Sequence, residues 1–384
     1  MKVWMRAVIV LLVLFCLSIR VYAEEENDVE EVPAEEVESY LLKEFEFDGI
    51  DDTLKDIFPD EKLDFKDTLT SLISGETPLT FETAKEFLVN QLFYAFQANK
   101  SVMIHILIIA VIAAIFTNFS NAFQNQQISE ISFYILYLLL ITMCLNSFRL
   151  VMESVAGSIG QLTGFMKVLC PLYFLAIALA KGSVTSIAFY NLVLLLIYLV
   201  ELLILNFLLP LVHVYIMIKV LNFLSQEDYM SKFAEFLETI VSWTLKTLLA
   251  CVVGLNVIQG LISPAIDSVK RSVITKGAEA IPGIGDAIGG VTEVVLGTAV
   301  LIKNGIGMTG AIICIGICLV PIVEMGLLTL MYKLVAAVVQ PVSDKRIVGC
   351  IESIGEGCQL LLKIMFTVGI LFLLTVAVVA ASTS

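Results

Sequence analysis

The apolar positions of this chain change rhythm several times between its two ends. Behind Lys2 and Arg6 the run AVIVLLVLFCLSI is unbroken, and Val21 and Ala23 then stand three and one positions before a cleavage point. That is the three-part pattern of a secretory signal, so 1–23 reads as a signal peptide, with an uncleaved first span as the competing reading. The acidic run EEENDVEEVPAEEVE, 24–38, has almost nothing to bury and reads as disordered. Helical spacing begins with Phe65, Leu69, Leu72 and Ile73, stops at Gly75 and Pro78, and resumes as the stripe Phe81, Ala84, Leu88, Leu92 and Ala95. Neither Gly nor Pro occurs from Leu79 to Ala156, so this second helix is expected to run straight into a first span starting at Val102.

From there the chain is mostly apolar. A second span is predicted from Ile131, followed by an amphipathic helix with Val151, Met152, Val155, Ile159 and Leu162 on one face and Ser154, Ser158 and Gln161 opposite. Phe165 to Ala180 reads as a short span interrupted by Pro171. The run Val184 to Leu224 exceeds the roughly 20 residues that cross a bilayer, and Pro210 suggests a tight hairpin near Asn206 to Pro210. Further spans are predicted at Thr239 to Ile262, Gly305 to Leu330 and Leu360 to Ala381. Between them, 277–290 is a glycine-rich connector containing Pro282, Gly283, Gly285 and Asp286. The expected fold is all-α: a polytopic helical membrane protein with about seven or eight transmembrane or re-entrant helices. They follow the signal peptide and an acidic, largely helical exported segment, 24–100, and make up a membrane domain over 101–384.

Composition agrees with this reading. The chain is 58% hydrophobic and 16% charged, with a mean hydropathy of +0.93, against about 45–50% and about 25% in globular domains. Of its net charge of −14, residues 24–100 carry −16 (22 acidic against 6 basic), while 101–384 carry −1 (15 against 14). The acidity therefore belongs to the exported segment alone. None of the eight cysteines lies in that segment, which excludes a disulfide framework there. With the amino terminus outside, Lys181 and the Lys345/Arg346 pair fall inside, as the positive-inside rule requires, whereas Lys270, Arg271 and Lys276 do not. The orientation of 263–305 stays open, since a re-entrant segment would also satisfy the pattern.

Two polar elements interrupt the apolar text in similar wording. In SPAIDSVKR, Pro264 precedes Asp267, Lys270 and Arg271; in QPVSDKR, Pro341 precedes Asp344, Lys345 and Arg346. A proline can end a helix, an aspartate can cap the next one, and a basic pair can hold lipid phosphate or an acidic partner. The bland reading is two membrane exits; the sharper one is a pair of corresponding break points in two structural halves, with Pro210 and Pro321 as further helix breaks.

Glu201, Lys246 and Glu324 lie inside predicted spans, where ionisable groups are costly and face a cavity or a partner. They are candidates for a transport path or for structural charge pairing. The only histidines, His105 and His213, lie in apolar runs without a nucleophile, acid or metal-ligand pattern beside them. GIGDAIGG lacks dinucleotide-fingerprint spacing, and no basic, aromatic-interleaved surface suggests nucleic acid. An enzyme is not expected, nor is a cofactor. A secondary transporter for a small solute and a non-conducting membrane scaffold remain as rival readings.

The stretches SPAIDSVKRSVITKGAEAIPGIGDAIGG and PVSDKRIVGCIESIGEGC, together with the overall layout, resemble the stage III sporulation protein AE family of endospore-forming bacteria. The resemblance implies a part in the channel or secretion complex that joins the mother cell to the engulfed forespore and supports forespore development and late forespore gene expression. It implies as partners the ATPase, ring-forming and small membrane subunits of the stage III sporulation A operon, and the forespore stage II partner protein Q. The implied place is the mother-cell membrane around the forespore, the outer forespore membrane, within a hetero-oligomeric assembly. The family offers no catalytic residue to carry over.

Overall fold

The computed structural model describes residues 40–43, 45–58, 64–74, 81–122, 126–181, 183–224, 227–278 and 285–382. The predicted signal peptide, the acidic run 24–38, and Pro282 and Gly283 of the connector lie outside the described residues. Among those described, regular structure is helical throughout. The helices are α1 (Asp48–Ile57), α2 (Phe65–Ile73), α3 (Phe81–Ala122), α4 (Gln126–Lys181) and α5 (Ser183–Leu199). A π-helical stretch (Val200–Leu208) joins α5 to α6 (Leu209–Asn222), and α7 (Ser231–Ala278), α8 (Gly285–Val339) and α9 (Lys345–Ser382) complete the chain.

Six of these helical stretches are long and apolar enough to cross a membrane: Leu92–Ile115, Tyr134–Ala180, Ser186–Asn222, Ser231–Ile258, Val295–Val339 and Lys345–Val378. Three of them, of 47, 37 and 45 residues, are about twice the length of one crossing. Each contains apolar sequence that length alone would divide in two, which is why the sequence suggests a higher count.

The small α1–α2 pair shows why its sequence folds as it does. Asp64 caps α2 by accepting the Asp67 backbone N–H at 2.9 Å, and Asp51 of α1 accepts the Phe65 N–H at 2.8 Å. The apolar stripe then turns inward: Ile50, Leu54, Phe65 and Leu69 are buried. α3 runs unbroken through residue 100 into its apolar stretch, as the absence of Gly and Pro predicts, so the boundary expected from the sequence near residue 100 lies within one helix.

The long helices pack in register. Tyr332 meets Ser147, Glu324 meets Ser154, the Cys314 and Met166 sulfurs stand 3.6 Å apart, and a Cβ on Gly310 or Gly307 would press on Leu169 or Tyr173. As α4 advances α8 recedes by the same count, so the two lie antiparallel along about 26 residues, or about 39 Å at about 1.5 Å per residue. The predicted amphipathic helix is the middle of α4. Its stripe of Val151, Val155, Ile159 and Leu162 faces this core, and the opposite face carries Ser154 and Gln161.

Several expected breaks are continuous helix. Pro171 and Pro321 lie inside α4 and α8, and α7 runs on through Pro264 to Ala278. A proline removes one backbone donor, but in an apolar environment the remaining helical hydrogen bonds have no competing partner in solvent. No hairpin forms near Pro210 either. Proline cannot donate a hydrogen bond to the preceding turn, and there the helix widens, with the Leu209 N–H reaching Ile204, five residues back. The connector is shorter than predicted, because 277–278 finish α7 and Gly285 and Asp286 begin α8. Pro341 alone among these prolines stands in a true turn, between α8 and α9.

The α6–α7 turn is ordered by side chains. Asp228 accepts bonds from the Ser231 hydroxyl at 2.6 Å, from the Asn222 amide at 2.8 Å and from the Ser231 backbone N–H at 3.1 Å. These donors, the Ser231 hydroxyl foremost and the Asn222 amide next, hold its carboxyl below the usual value of 3.8. A carboxylate depressed on folding stabilises the fold above its unfolded value and stops doing so as pH falls through the folded one. The expected result for Asp228→Ala is therefore a melting temperature below wild type at pH 7 and a gap that narrows as the pH is taken below 3.8, measured by thermal unfolding in detergent.

Candidate functional site: paired ionisable groups between the membrane helices

Several ionisable side chains in the spanning helices have partners on neighbouring helices. Lys167 of α4 donates to Glu201 at 2.5 Å, and Glu201 sits in the first turn of the π-helical stretch. The wider turn leaves the Glu201 carbonyl to be met by the Asn206 side-chain amide at 2.9 Å, five residues ahead. Both charges of this pair remain partly open, at 50% and 36% exposed.

A second pair joins α6 to α9. Lys219 donates to Glu356, and the same ammonium donates to the Tyr215 hydroxyl at 3.2 Å and lies 5.5 Å from the centre of its ring. The Tyr215 hydroxyl in turn donates to Glu356 at 3.4 Å. This is a closed three-member network against a buried aromatic ring, in which the carboxylate has two donors.

The third contact joins α4 to α8, where the Ser154 hydroxyl donates to Glu324 at 3.4 Å. Glu324 thus faces the polar side of α4, one helical turn beyond Pro321. Lys303, on the outer third of α8, is fully buried. The His213 Nδ1 is buried without a hydrogen-bond partner, and His105 Nδ1 approaches the Ser101 carbonyl at 2.6 Å.

Glu201 and Glu324 therefore face protein, each with its own partner, and the two are not brought together with Lys246. Lys246 lies exposed on α7 with no ion pair among the described residues. Sequence reasoning missed Lys167, Lys219, Glu356 and Lys303. Lys219, in HVYIMIKVLN, carries the same signal that singled out Glu201, a charge in an apolar run. Glu356 was concealed by the polar, glycine-rich wording of IESIGEGC.

The two proline–aspartate–basic elements do different things. Asp344 begins α9, accepting the Arg346 backbone N–H at 2.8 Å, and its carboxylate also takes the Arg346 guanidinium at 3.2 and 3.3 Å. Here the element is a helix cap locked by its own arginine, and Lys345 stays exposed. Asp267, Lys270 and Arg271 instead lie along the continuous backbone of α7, and their side chains are outside the description. The two elements are not corresponding breaks. Only the second lies at a helix end.

Chemically, these partners serve two ends at once. They hold helices that are remote in sequence in register, and they place carboxylates with weak or partly open coordination along the bundle, where a moving cation or proton can exchange with a fixed one.

The family described as Stage III sporulation protein AE matches residues 63–383 of the chain. A protein of Bacillus subtilis (strain 168) called Stage III sporulation protein AE is 26% identical over 243 residues, which is 63% of this chain and 61% of that protein. The similarity thus spans less than two thirds of the relative's length. No solved structure matches the chain.

Proposed function

Because this chain belongs to the stage III sporulation protein AE family, we propose that it is a multi-pass membrane subunit of the complex joining mother cell and forespore. In this reading it sits in the mother-cell membrane around the forespore and lines part of the export or conduction path. It works beside the ATPase, ring-forming and small membrane subunits of the stage III sporulation A operon and faces the stage II partner protein Q. Its contribution is to sustain forespore development and late gene expression; it performs no covalent chemistry and needs no cofactor.

The observation carrying the path is the polar face of α4. Ser154 reaches Glu324, and Gln161 is exposed two turns along the same helix. A lipid-facing surface has no use for these groups, whereas a water-filled path does. Permeation by a small solute driven by protons is the reading favoured by Glu201 alone, in its π-helical turn, a geometry that recurs at functional sites.

Replacement by leucine separates these residues. Glu324→Leu and Glu201→Leu are expected to lower spore yield at least tenfold while protein abundance in the membrane falls less than twofold, and Lys246→Leu is expected to leave both near wild type. Immunoblots of sporulating cells alongside heat-resistant spore counts check this. Normal yields for the Glu201 and Glu324 variants would remove both residues from any path and leave a scaffold.

A further inference from the structure

The polar face of α4 ends beneath the α1–α2 pair. Ser154, Ser158, Gln161, Phe165 and Val168 follow one another at steps of three and four residues, so they share one stripe of the helix. The stripe is polar as far as Gln161 and apolar from Phe165 on. Val168 is where α1 sits, since a Cβ on Gly49 would stand 3.5 Å from the Val168 Cγ1. The other end of α1 reaches α8, where a Cβ on Gly316 would stand 3.8 Å from the Phe58 ring. α1 therefore bridges the same two helices that Ser154 and Glu324 join. Val168 lies seven residues beyond Gln161, about 10 Å along α4, and Gly316 lies eight before Glu324, about 12 Å along α8.

α2 completes the seat. A Cβ on Gly305 would stand 2.7 Å from Leu69 and 3.0 Å from Ile73. Thr309 shares that face of α8, four residues after Gly305 and seven before Gly316. Its hydroxyl is fully buried and has no hydrogen-bond partner among the described residues. Burying an unsatisfied hydroxyl is a cost, and water admitted under the pair would remove it. The pair itself is small. α1 and α2 have 10 and 9 residues, short of the about 12–15 that an isolated helix needs in water, so their helicity depends on being seated. Their outward side exposes Asp48, Asp52, Lys55, Asp56, Lys66 and Asp67, a surface that water and not lipid must surround.

We propose that the α1–α2 pair is a lid on the path: seated across α4 and α8 it closes the end of the polar stripe, and in the working complex it lifts to open it. This rests on the reading of the α4 polar face as path-lining. The closure is an apolar seal at Phe165 and Val168, and a narrow apolar constriction holds back water and ions until it widens. On α8 the seat is glycine at both ends, so no side chain of Gly305 or Gly316 holds the pair down. A small module of this kind belongs to the low-stability end of a structure, which opens while the bundle stays folded.

The test staples the lid shut. The full chain, in a background lacking the native cysteines, carries Gln161→Cys as the probe and the pair Gly49→Cys/Val168→Cys as the staple. The 3.5 Å approach at this site suits a disulfide, whose Cβ atoms stand about 3.5–4.5 Å apart. Membrane vesicles from sporulating cells are treated with a membrane-impermeant thiol reagent on the side from which Asp52→Cys, on the exposed edge of α1, is labelled. Oxidising the staple is expected to slow labelling at position 161 at least fivefold, and reduction to restore it. Leu69→Asp, which puts a carboxylate against Gly305 and unseats the pair, is expected to label at least as fast as the reduced form. Equal rates in the stapled, reduced and Leu69→Asp forms would overturn the lid and leave the path standing. Silence at position 161 in all three would remove the path and the lid with it, and a staple that never forms would contradict the seat. Blots of the same membranes check that each variant is present.

Discussion

Lys219→Met is expected to deplete the folded protein far more than the double variant Lys219→Met/Glu356→Gln. In the wild type the lysine, Tyr215 and Glu356 satisfy one another at the α6–α9 contact. Removing the ammonium alone leaves a carboxylate inside a spanning bundle, which costs about 2.5–3.5 kcal/mol on insertion scales. That is about a hundredfold in the folded fraction at about 1.4 kcal/mol per factor of ten, a large share of a typical stability of about 5–15 kcal/mol. Neutralising both partners removes the uncompensated charge and keeps a hydrogen-bonding amide beside Tyr215, so most of the loss should be recovered. Fluorescence-detected size exclusion of the solubilised variants measures the folded fraction directly. Equal loss in the single and double variants would show that the pair acts through shape rather than charge.

Gly357→Leu is expected to abolish the folded protein, and Gly357→Ala to weaken it markedly. A Cβ there would stand 2.5 Å from the Ile216 side chain and 2.7 Å from the Phe148 ring. Both neighbours are fully buried and have no room to swing aside. Overpacking typically costs about 1–3 kcal/mol for a methylene or two, and a whole isobutyl group at this three-helix contact exceeds that range. Gly160 of α4 is the counterpart, since a Cβ there meets nothing within 4 Å. Gly160→Ala should raise the melting temperature slightly, because alanine favours a helix by up to about 1 kcal/mol over glycine. Opposite signs at two helical glycines separate packing from propensity in a single thermal-shift experiment.

Much of this architecture is legible in the residues. The stripe from Val151 to Leu162 is the core face of α4, and Phe65 and Leu69 anchor α2, because a buried helical face must be apolar at that spacing. The unbroken passage of α3 follows from the lack of Gly and Pro. The prolines mislead because their effect depends on surroundings. At Pro341 the neighbouring polar residues cap a new helix, while at Pro171 and Pro321 apolar flanks carry the helix through, and at Pro264 the helix continues although polar residues follow. Pro210 lies between these outcomes, accommodated by a widened turn.

The charge pairs were half visible. Glu201 and Glu324 stand out as ionisable groups in apolar runs, but their partners lie 34 and 170 residues away, and Glu356 lies 137 residues from Lys219. Which residues meet is decided by how α4, the π-helical stretch, α6, α8 and α9 pack, a property of the bundle rather than of local sequence. Lys246 shows the converse, since an identical local signal places it on an exposed face.

Cysteine accessibility along α4 and α8 in the assembled complex of sporulating cells tests the proposed path most directly. Single cysteines at Ser154, Ser158, Gln161 and Glu324, in a background lacking the native cysteines, would be probed with a membrane-impermeant thiol reagent. The account predicts labelling at all four positions, with Val155 and Ile159 on the opposite face protected. Labelling confined to turn positions such as Tyr229 and Val342, with the four helical positions silent, would contradict it.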